Sequence, residues 1–566
     1  MKKLVSDVVV EILQQWGVER VYGIPNDTID PLMESLRRQT QIQFILVRHE
    51  EAAAFAAGME ARLNGKISVC IASQGPGAIH LLNGMYDAAM DGVPVIAITG
   101  QIQTALIGTR MVQEVNQNIL FNDVCSFNGV VINPEQTIQV LSRAFRSAIM
   151  KRGPAHIAIP SDILRAPAPS SYFEMAPPIS SGVKEPEPES VKVAVELIKS
   201  SRKPCILYGI GAAAAIEEVK ALAEMIQAPL VYTSRSKDCL ESSYPHLMGG
   251  IGLLGSRAAN HAVHHCDLLL VLGSSFAFTE YYPRDAKILQ IDNQLEHLGL
   301  HAPITMGMAA DCKAALRELL KNLKPQNDQD FLNECLEHKK SDIKVYELQN
   351  RISVSKHRIH PVTLFEAINK YVPDNAIFTI DVGVAIIWSN NLLNMSGKQR
   401  FIWSANLGSL GCALPEGIAA KLAMPDRPSV IISSDDSFDM MISEFMTAVK
   451  YNAPIVCIIL NNTALHYVDH NEPEEGRSVS PDFAALARSR GGAGATVRVL
   501  DDLETALPKA FNSNQPYILD IYLEPSAKPI PPIINASMAL ALASSRFKGL
   551  FSKFSGGNGH SEADEA

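Results

Sequence analysis

Short apolar runs rich in valine and isoleucine alternate along the chain with longer stretches whose apolar positions recur at helical spacing. The first third carries "RVYGIP", "FILVRH", "ISVCIA" and "PVIAITG"; the middle carries "PCILYGIG", "PLVYTS", "DLLLVLGS" and "KILQID". The last third carries "AIFTIDVG", "SVIISSDD", "PIVCIILNN" and "YILDIYL". Strands this uniformly apolar have no polar face, so each must be covered on both sides, which parallel sheets between helices provide. The chain therefore reads as α/β, with three doubly wound parallel-sheet domains and a C-terminal tail.

Two polar stretches separate the domains. "RAPAPSSYFEMAPPISSGVKEPEPES" (165–190) is too rich in Pro and Ser to sustain a helix or a central strand. The region 324–360 reads as a helix plus a connector. Predicted domains are 1–165, 190–325 and 355–530, with the tail at 531–566. At the N-terminus Val5, Val8, Val9, Ile12, Leu13 and Trp16 predict an ordinary first helix in place of a signal peptide. In the tail Phe547, Leu550, Phe551 and Phe554 fall at i, i+3, i+4 and i+7, with Arg546, Lys548 and Lys553 nearby. That pattern suits an amphipathic helix on a membrane surface, and equally a helix docked on the protein's own flank.

Composition narrows the field modestly. The 566 residues are 47% hydrophobic and 19% charged, with a net charge of −10, which argues against nucleic-acid binding. Nine scattered cysteines without a CxxC pair point to a reducing, cytoplasmic setting.

In doubly wound sheets ligands sit beyond the carboxyl ends of the strands. "VIISSDD" ends at Asp435 and "VCIILNN" at Asn462, two hard oxygen donors suited to Mg²⁺. The same letters also suit a plain polar turn with Asp436 or Ser437 capping the next helix. In "RHEEAAAFAAG", Glu50 opens an apolar helix, where burial against alanines and phenylalanine would favour its protonated form. Glu51 reads as the exposed acid of the first turn. "SQGPGAIH" places Gly75 and Pro76 in a tight turn and His80 on the helix that follows.

Taken together, "SANLGSLGCALPEG", "SSDDSFDMM" and the "NN" 27 positions after Asp435 resemble the cofactor domain of thiamine-diphosphate-dependent enzymes. "RHEEAAAFAAG" and the phrase from Ser73 to Gln101 resemble the pyruvate-oxidase branch, related to acetolactate synthase. The resemblance implies a pyrimidine-binding first domain, a central FAD-type domain and a diphosphate-binding third domain. It makes Glu50 the carboxyl that bonds the thiamine ring and Gln113 an active-site glutamine. It makes Asp435 and Asn462 metal ligands, with a backbone carbonyl near Ala464 as the third. Leu410 becomes the apolar residue that keeps thiamine bent, a side chain that plain core packing would also explain. Tyr467 becomes an aromatic of the site. Gly75, Pro76, His80, Gly383, Gly408, Asp436 and Ser437 join the thiamine-binding set. "HLMGGIGLLGS", "VLGSSFAF", "QIDNQLEHLG" and "GMAADC" resemble flavin-binding segments, and make Gly252, Gly273, Ser274, Asp292 and Asp311 candidates for FAD contacts.

The implied reaction is oxidative decarboxylation of a small 2-oxo acid such as pyruvate to acetate and CO₂, with FAD passing electrons to a quinone or O₂. The implied assembly is a homodimer or homotetramer, cytoplasmic, with the tail offering contact to the inner face of the membrane. Ser434 and Asp436 replace small residues of the family's GDG motif, and His466 and Asn471 also depart from its pattern. Two alternatives follow: carboligation or simple decarboxylation on the same site, and a membrane-associated scaffold that has lost thiamine.

Overall fold

A computed structural model describes residues 3–169, 182–352, 358–462 and 481–524, with 527 and 529. Its strands form three sheets of six, every pairing parallel. In the first, β1 (Arg20–Gly23), β2 (Gln43–Leu46), β3 (Ser68–Ala72), β4 (Val95–Gln101), β5 (Phe127–Val130) and β6 (Ala155–Pro160) lie in the order β2-β1-β3-β4-β6-β5. The second holds β7 (Pro204–Tyr208), β8 (Leu230–Tyr232), β9 (Leu247–Gly250), β10 (Leu268–Leu272), β11 (Lys287–Asp292) and β12 (Met306–Ala309) in the order β12-β11-β10-β7-β8-β9. The third holds β13 (Ile377–Ile380), β14 (Arg400–Ile402), β15 (Ser429–Ser434), β16 (Ile455–Asn461), β17 (Ala493–Val497) and β18 (Tyr517–Tyr522) in the order β14-β13-β15-β16-β18-β17.

The first and third sheets thus share one strand order. Read from its other edge, the second has the 3-2-1-4-5-6 order of dinucleotide-binding folds. Central strands such as β3, β10 and β16 are buried along their whole length, as their unbroken apolar sequences require. The predicted first helix spans Val5–Gln15 and buries Val5, Val8, Val9, Ile12 and Leu13. The connector 324–360 contains a helix, Asp330–Ile352. Among the described residues no helix is long and apolar enough to cross a membrane. The tail from 531 lies outside the described residues.

Helix Glu50–Asn64 is buried on nearly all sides. One side lies on the first sheet, and another packs along helix Ala413–Ala423 of the third domain in a shared core with Ile377 and Ile402. Its run of alanines permits that closeness on two sides at once. Where this seam meets polar residues, charge takes over. The Arg62 guanidinium bonds Asp87, Asp91 (3.0 Å) and Glu416 of the third domain (2.6 Å), all of them buried. Arg235 of the middle domain reaches Asp91 from the other side at 3.5 Å. Ser404 donates to Asp87 at 2.6 Å and Asn406 to Asp91 at 2.9 Å, so the loop that carries Gly408 and Leu410 is fastened to the same cluster.

Removing one member of a buried ion cluster leaves its partners charged and unpaired, a loss of about 3–5 kcal/mol. Arg62→Met should therefore lower the urea midpoint of the third and first domains together, with Arg62→Lys intermediate. Separate transitions with unchanged midpoints would show that the cluster does not join them.

Candidate active site

A doubly wound sheet opens a crevice where its strand order reverses, because the loops leaving the two strands diverge there. In the third sheet that place lies between β13 and β15. β13 runs into Asp381 and then Gly383, whose φ of 89° lets the chain turn directly into helix Val384–Leu392. A side chain placed on Gly383 or on Gly408 (φ 74°) would meet nothing within 4 Å among the described residues. Open space therefore lies beside two left-handed turns and the free N–H groups of a helix start, an arrangement suited to an anion.

On the facing lip, β15 ends at Ser434 and a short helix begins at Asp435. The cap expected at Asp436 or Ser437 is instead Ser434, extended at φ −72° and ψ 160°, because the strand runs straight into the helix. Asp435 and Ser437 are buried, and Asp436 is half-buried in the first turn. The neighbouring strand β16 ends at Asn461, whose amide is committed to Asp520 at 2.9 Å. Asn462 lies just beyond the strand end. A carboxylate and an amide oxygen at adjacent strand ends make the hard donor pair that Mg²⁺ prefers. The residues present thus fit a magnesium-bound diphosphate. Ala464 and Tyr467, with His466 and Asn471, lie outside the described residues.

Leu410 is 43% exposed, so core packing does not account for it. Its loop is rigid by other means. Gly411 donates its N–H to Asp381 at 2.9 Å, and Ser433 at the end of β15 donates to the same carboxyl at 2.9 Å. Ser409 accepts from Asn83 of the first domain at 2.9 Å. Asp381 thus links both lips of the crevice to the loop of Leu410. It was not among the sequence candidates, although a carboxyl ending a central strand is the signal that would have found it.

The first sheet reverses between β1 and β3. Beyond β3, Gly75 takes φ 60° as the N-cap of helix Pro76–His80, with Pro76 as its first residue. A side chain at Gly75 would strike the Gln113 carbonyl at 2.7 Å, so the Gln113 backbone lies directly on the turn. Gln113 is itself left-handed (φ 62°), and its side chain accepts from Gln74 at 3.0 Å. Glu50 begins its helix after His49, and its Oε2 lies 2.9 Å from Nδ1 of His80. The His49 and His80 rings stack at 4.4 Å. Glu50 is therefore held by a polar partner and partly open, not sealed among alanines as its sequence context suggested. Glu444, on the turn after the Asp435 helix, accepts the N–H groups of Arg48 (2.8 Å) and His49 (2.9 Å). The third domain thereby fixes the turn that presents Glu50.

Of the flavin candidates, Gly273 and Ser274 follow β10 at the switch point of the second sheet, between β7 and β10; Asp292 ends β11, and Gly252 and Asp311 follow the edge strands β9 and β12. Gly273 (φ 57°) packs on the backbone of Gly211, and Ser274 is buried beside it. Gly252 (φ 84°) lies against Phe276. Asp292 at the end of β11 accepts from the N–H of Gln294 at 2.8 Å, and its carboxylate lies 3.2 Å from His297. Asp311 caps helix Cys312–Asn322 through the N–H of Ala314. Leu253, Phe278, Leu295 and Leu300 are exposed on the loops beyond β9, β10 and β11.

Three profiles match in this same order: thiamine pyrophosphate enzyme, N-terminal TPP binding domain (residues 3–120), central domain (191–319) and C-terminal TPP binding domain (381–521). The chain belongs to the thiamine pyrophosphate enzyme family. A Bacillus subtilis (strain 168) protein, YdaP, whose name refers to thiamine pyrophosphate, is 35% identical over 97% of this chain and 96% of its own. Acetolactate synthase isozyme 1 large subunit of Escherichia coli (strain K12) is 30% identical over 93% of this chain and 95% of its own. Pyruvate oxidase of Lactiplantibacillus plantarum is 28% identical over 93% and 90%.

Complete burial pushes the Asp381 carboxyl up to about 7, despite the donors Ser433, Gly411 and Val382. An aspartate in the unfolded chain titrates near ~3.9. Between about pH 4 and 7 the folded protein therefore holds the extra proton, and this group's contribution to stability falls as pH rises, then levels off. Asp381→Asn removes that slope: its urea midpoint relative to the parent should climb from pH 4.5 to about 7 and stay flat above. Parallel curves would refute the assignment.

Proposed function

We propose that the protein carries out thiamine-diphosphate- and Mg²⁺-dependent oxidative decarboxylation of a 2-oxo acid of the pyruvate class, with FAD in the middle domain and a quinone or O₂ as final acceptor. For pyruvate the balance is one substrate and one water giving acetate and CO₂, with two electrons and two protons leaving on the acceptor. The observation that carries the flavin reading is the 3-2-1-4-5-6 order of the middle sheet, a dinucleotide-binding order, together with the exposed apolar side chains on its strand-end loops. The relative named pyruvate oxidase supports the same reading.

When bound, thiamine diphosphate supplies the electron sink for the bond that breaks, and FAD the acceptor for the electrons released. Asp435 and Asn462 would hold the Mg²⁺, with the carbonyl near Ala464. Gly383 and the first N–H groups of helix Val384–Leu392 would bind the diphosphate. Glu50 would exchange a proton with the thiamine ring, oriented by His80. Leu410 would support the cofactor's bent shape. The rim around Gln113 exposes Val112 and Ile119 at 75% each, which supports a homodimer or homotetramer in which another copy covers it.

A second reading, carboligation, is favoured by the relatives named acetolactate synthase. Anaerobic mixing with pyruvate separates the two. Bleaching of the flavin with release of acetate supports oxidation, whereas acetolactate without bleaching supports carboligation. Calorimetric titration with thiamine diphosphate tests the ground both readings share. Binding should require Mg²⁺ and weaken by ~10–100-fold or more in Asp435→Ala; a folded protein that binds none is the scaffold. Glu50→Gln should keep that binding and lose ~10²–10⁴-fold in kcat.

A further inference from the structure

On the outer flank of the middle domain, helix Arg257–His265 packs antiparallel on helix Asp330–Ile352. The two bury Ala258, Ala262, Val263, Phe331 and Cys335 between them. At the N-terminal end of the shorter helix the seam closes with Asp342, which accepts from the N–H of Ala258 at 2.9 Å. At its other end the seam holds His261 and His265, one turn apart, facing Glu334 and His338, also one turn apart. One ring nitrogen each of His261 and His338 and a carboxylate oxygen of Glu334 lie within 4.8 Å of one another. His261 is the middle ring of a stack, 4.1 Å from His265 and 3.7 Å from His338.

We propose that this cluster is a site for a divalent transition-metal ion of the zinc class, bound by His261, Glu334 and His338 with His265 as a fourth donor. His261, Glu334 and His338 bring three donors together from facing helices, and His265 stands one turn from His261 with its ring stacked on it; imidazole and carboxylate donors are of the kind Zn²⁺ takes. Ligand atoms around tetrahedral Zn²⁺ lie ~3.3 Å apart.

The surroundings prepare the donors. Nδ1 of His265 lies 3.0 Å from the carbonyl of His261, which only accepts, so the ring's proton is held there and its Nε2 lone pair is left outward. Glu334 divides its two oxygens: Oε1 meets His261 at 2.8 Å, and Oε2 faces Lys203 at 3.9 Å. An ion here fastens the helix leading to the third domain onto the middle domain. It owes nothing to Asp435, Asn462 or the cofactors, so it stands or falls separately from the proposed reaction.

The test uses tag-free, full-length protein stripped with chelator and titrated with Zn²⁺ alone. The parent should bind one more equivalent than His261→Gln/His338→Gln, and Zn²⁺ should raise the thermal midpoint of the parent only. Co²⁺ should give the visible bands of a tetrahedral site in the parent and lose them in the double variant. Equal Zn²⁺ stoichiometry and affinity in the two proteins would overturn the proposal. Should the double variant fail to fold, His265→Gln and Glu334→Gln decide it. A loss of about tenfold or more in Zn²⁺ affinity in each supports the site, and parental affinity in both rejects it.

Discussion

The buried charge at the seam of the three domains is the constraint around which the molecule is arranged. Arg62, Asp87 and Asp91 belong to the first domain and Glu416 to the third, and these side chains meet out of water, while Arg235 of the second reaches Asp91 from a partly open position. Such a cluster is tolerable only if its charges nearly cancel. Two guanidiniums balance two aspartates, and Glu416 completes the balance by keeping its proton: burial pushes it up to about 8, with Arg62 opposing and Asp87 and Asp91 adding to the rise. The network specifies one relative placement of the domains, since any other leaves a charge without a partner in an apolar core. The loop of Gly408 and Leu410 inherits its position from this network through Ser404 and Asn406.

Twelve strands were legible as uniformly apolar runs, and those are mainly the central strands. The strands that went unread are mostly at edges or next to them. β5, β12 and β17 are half-exposed along most of their length, so their residues carry no unbroken apolar signal. β14 has only three residues. β6 is an instructive exception: it is wholly buried, yet "AHIAIP" contains a histidine and ends in proline, which interrupt the apolar run. His156 is accommodated because Thr99 and Asn128 bond its two nitrogens.

The site divides along similar lines. Candidates that follow from position in a motif could be named from the sequence: Glu50, Asp435 and Asn462 all stand at the carboxyl-side ends of strands or at the helix starts beyond them. Residues whose role is to bond a distant loop could not. Asp381 bonds groups 30 and 52 residues further along, and Glu444 grips the Arg48–His49 backbone 396 and 395 residues away; no local pattern records such bonds. The burial expected around Glu50 was misjudged for the same reason, since His80 arrives from another segment.

The shared strand order of the first and third sheets has a historical reading. Two sheets wound identically, each with its reversal between its own first and third strands, are most simply copies of one ancestral unit. The middle sheet is wound differently and lies between them along the chain. The third domain has acids and an amide at its strand ends, and the first has a carboxyl poised on a helix start. Neither half alone assembles the full set of groups, so selection acts on the pair, and drift in one copy is checked by the other.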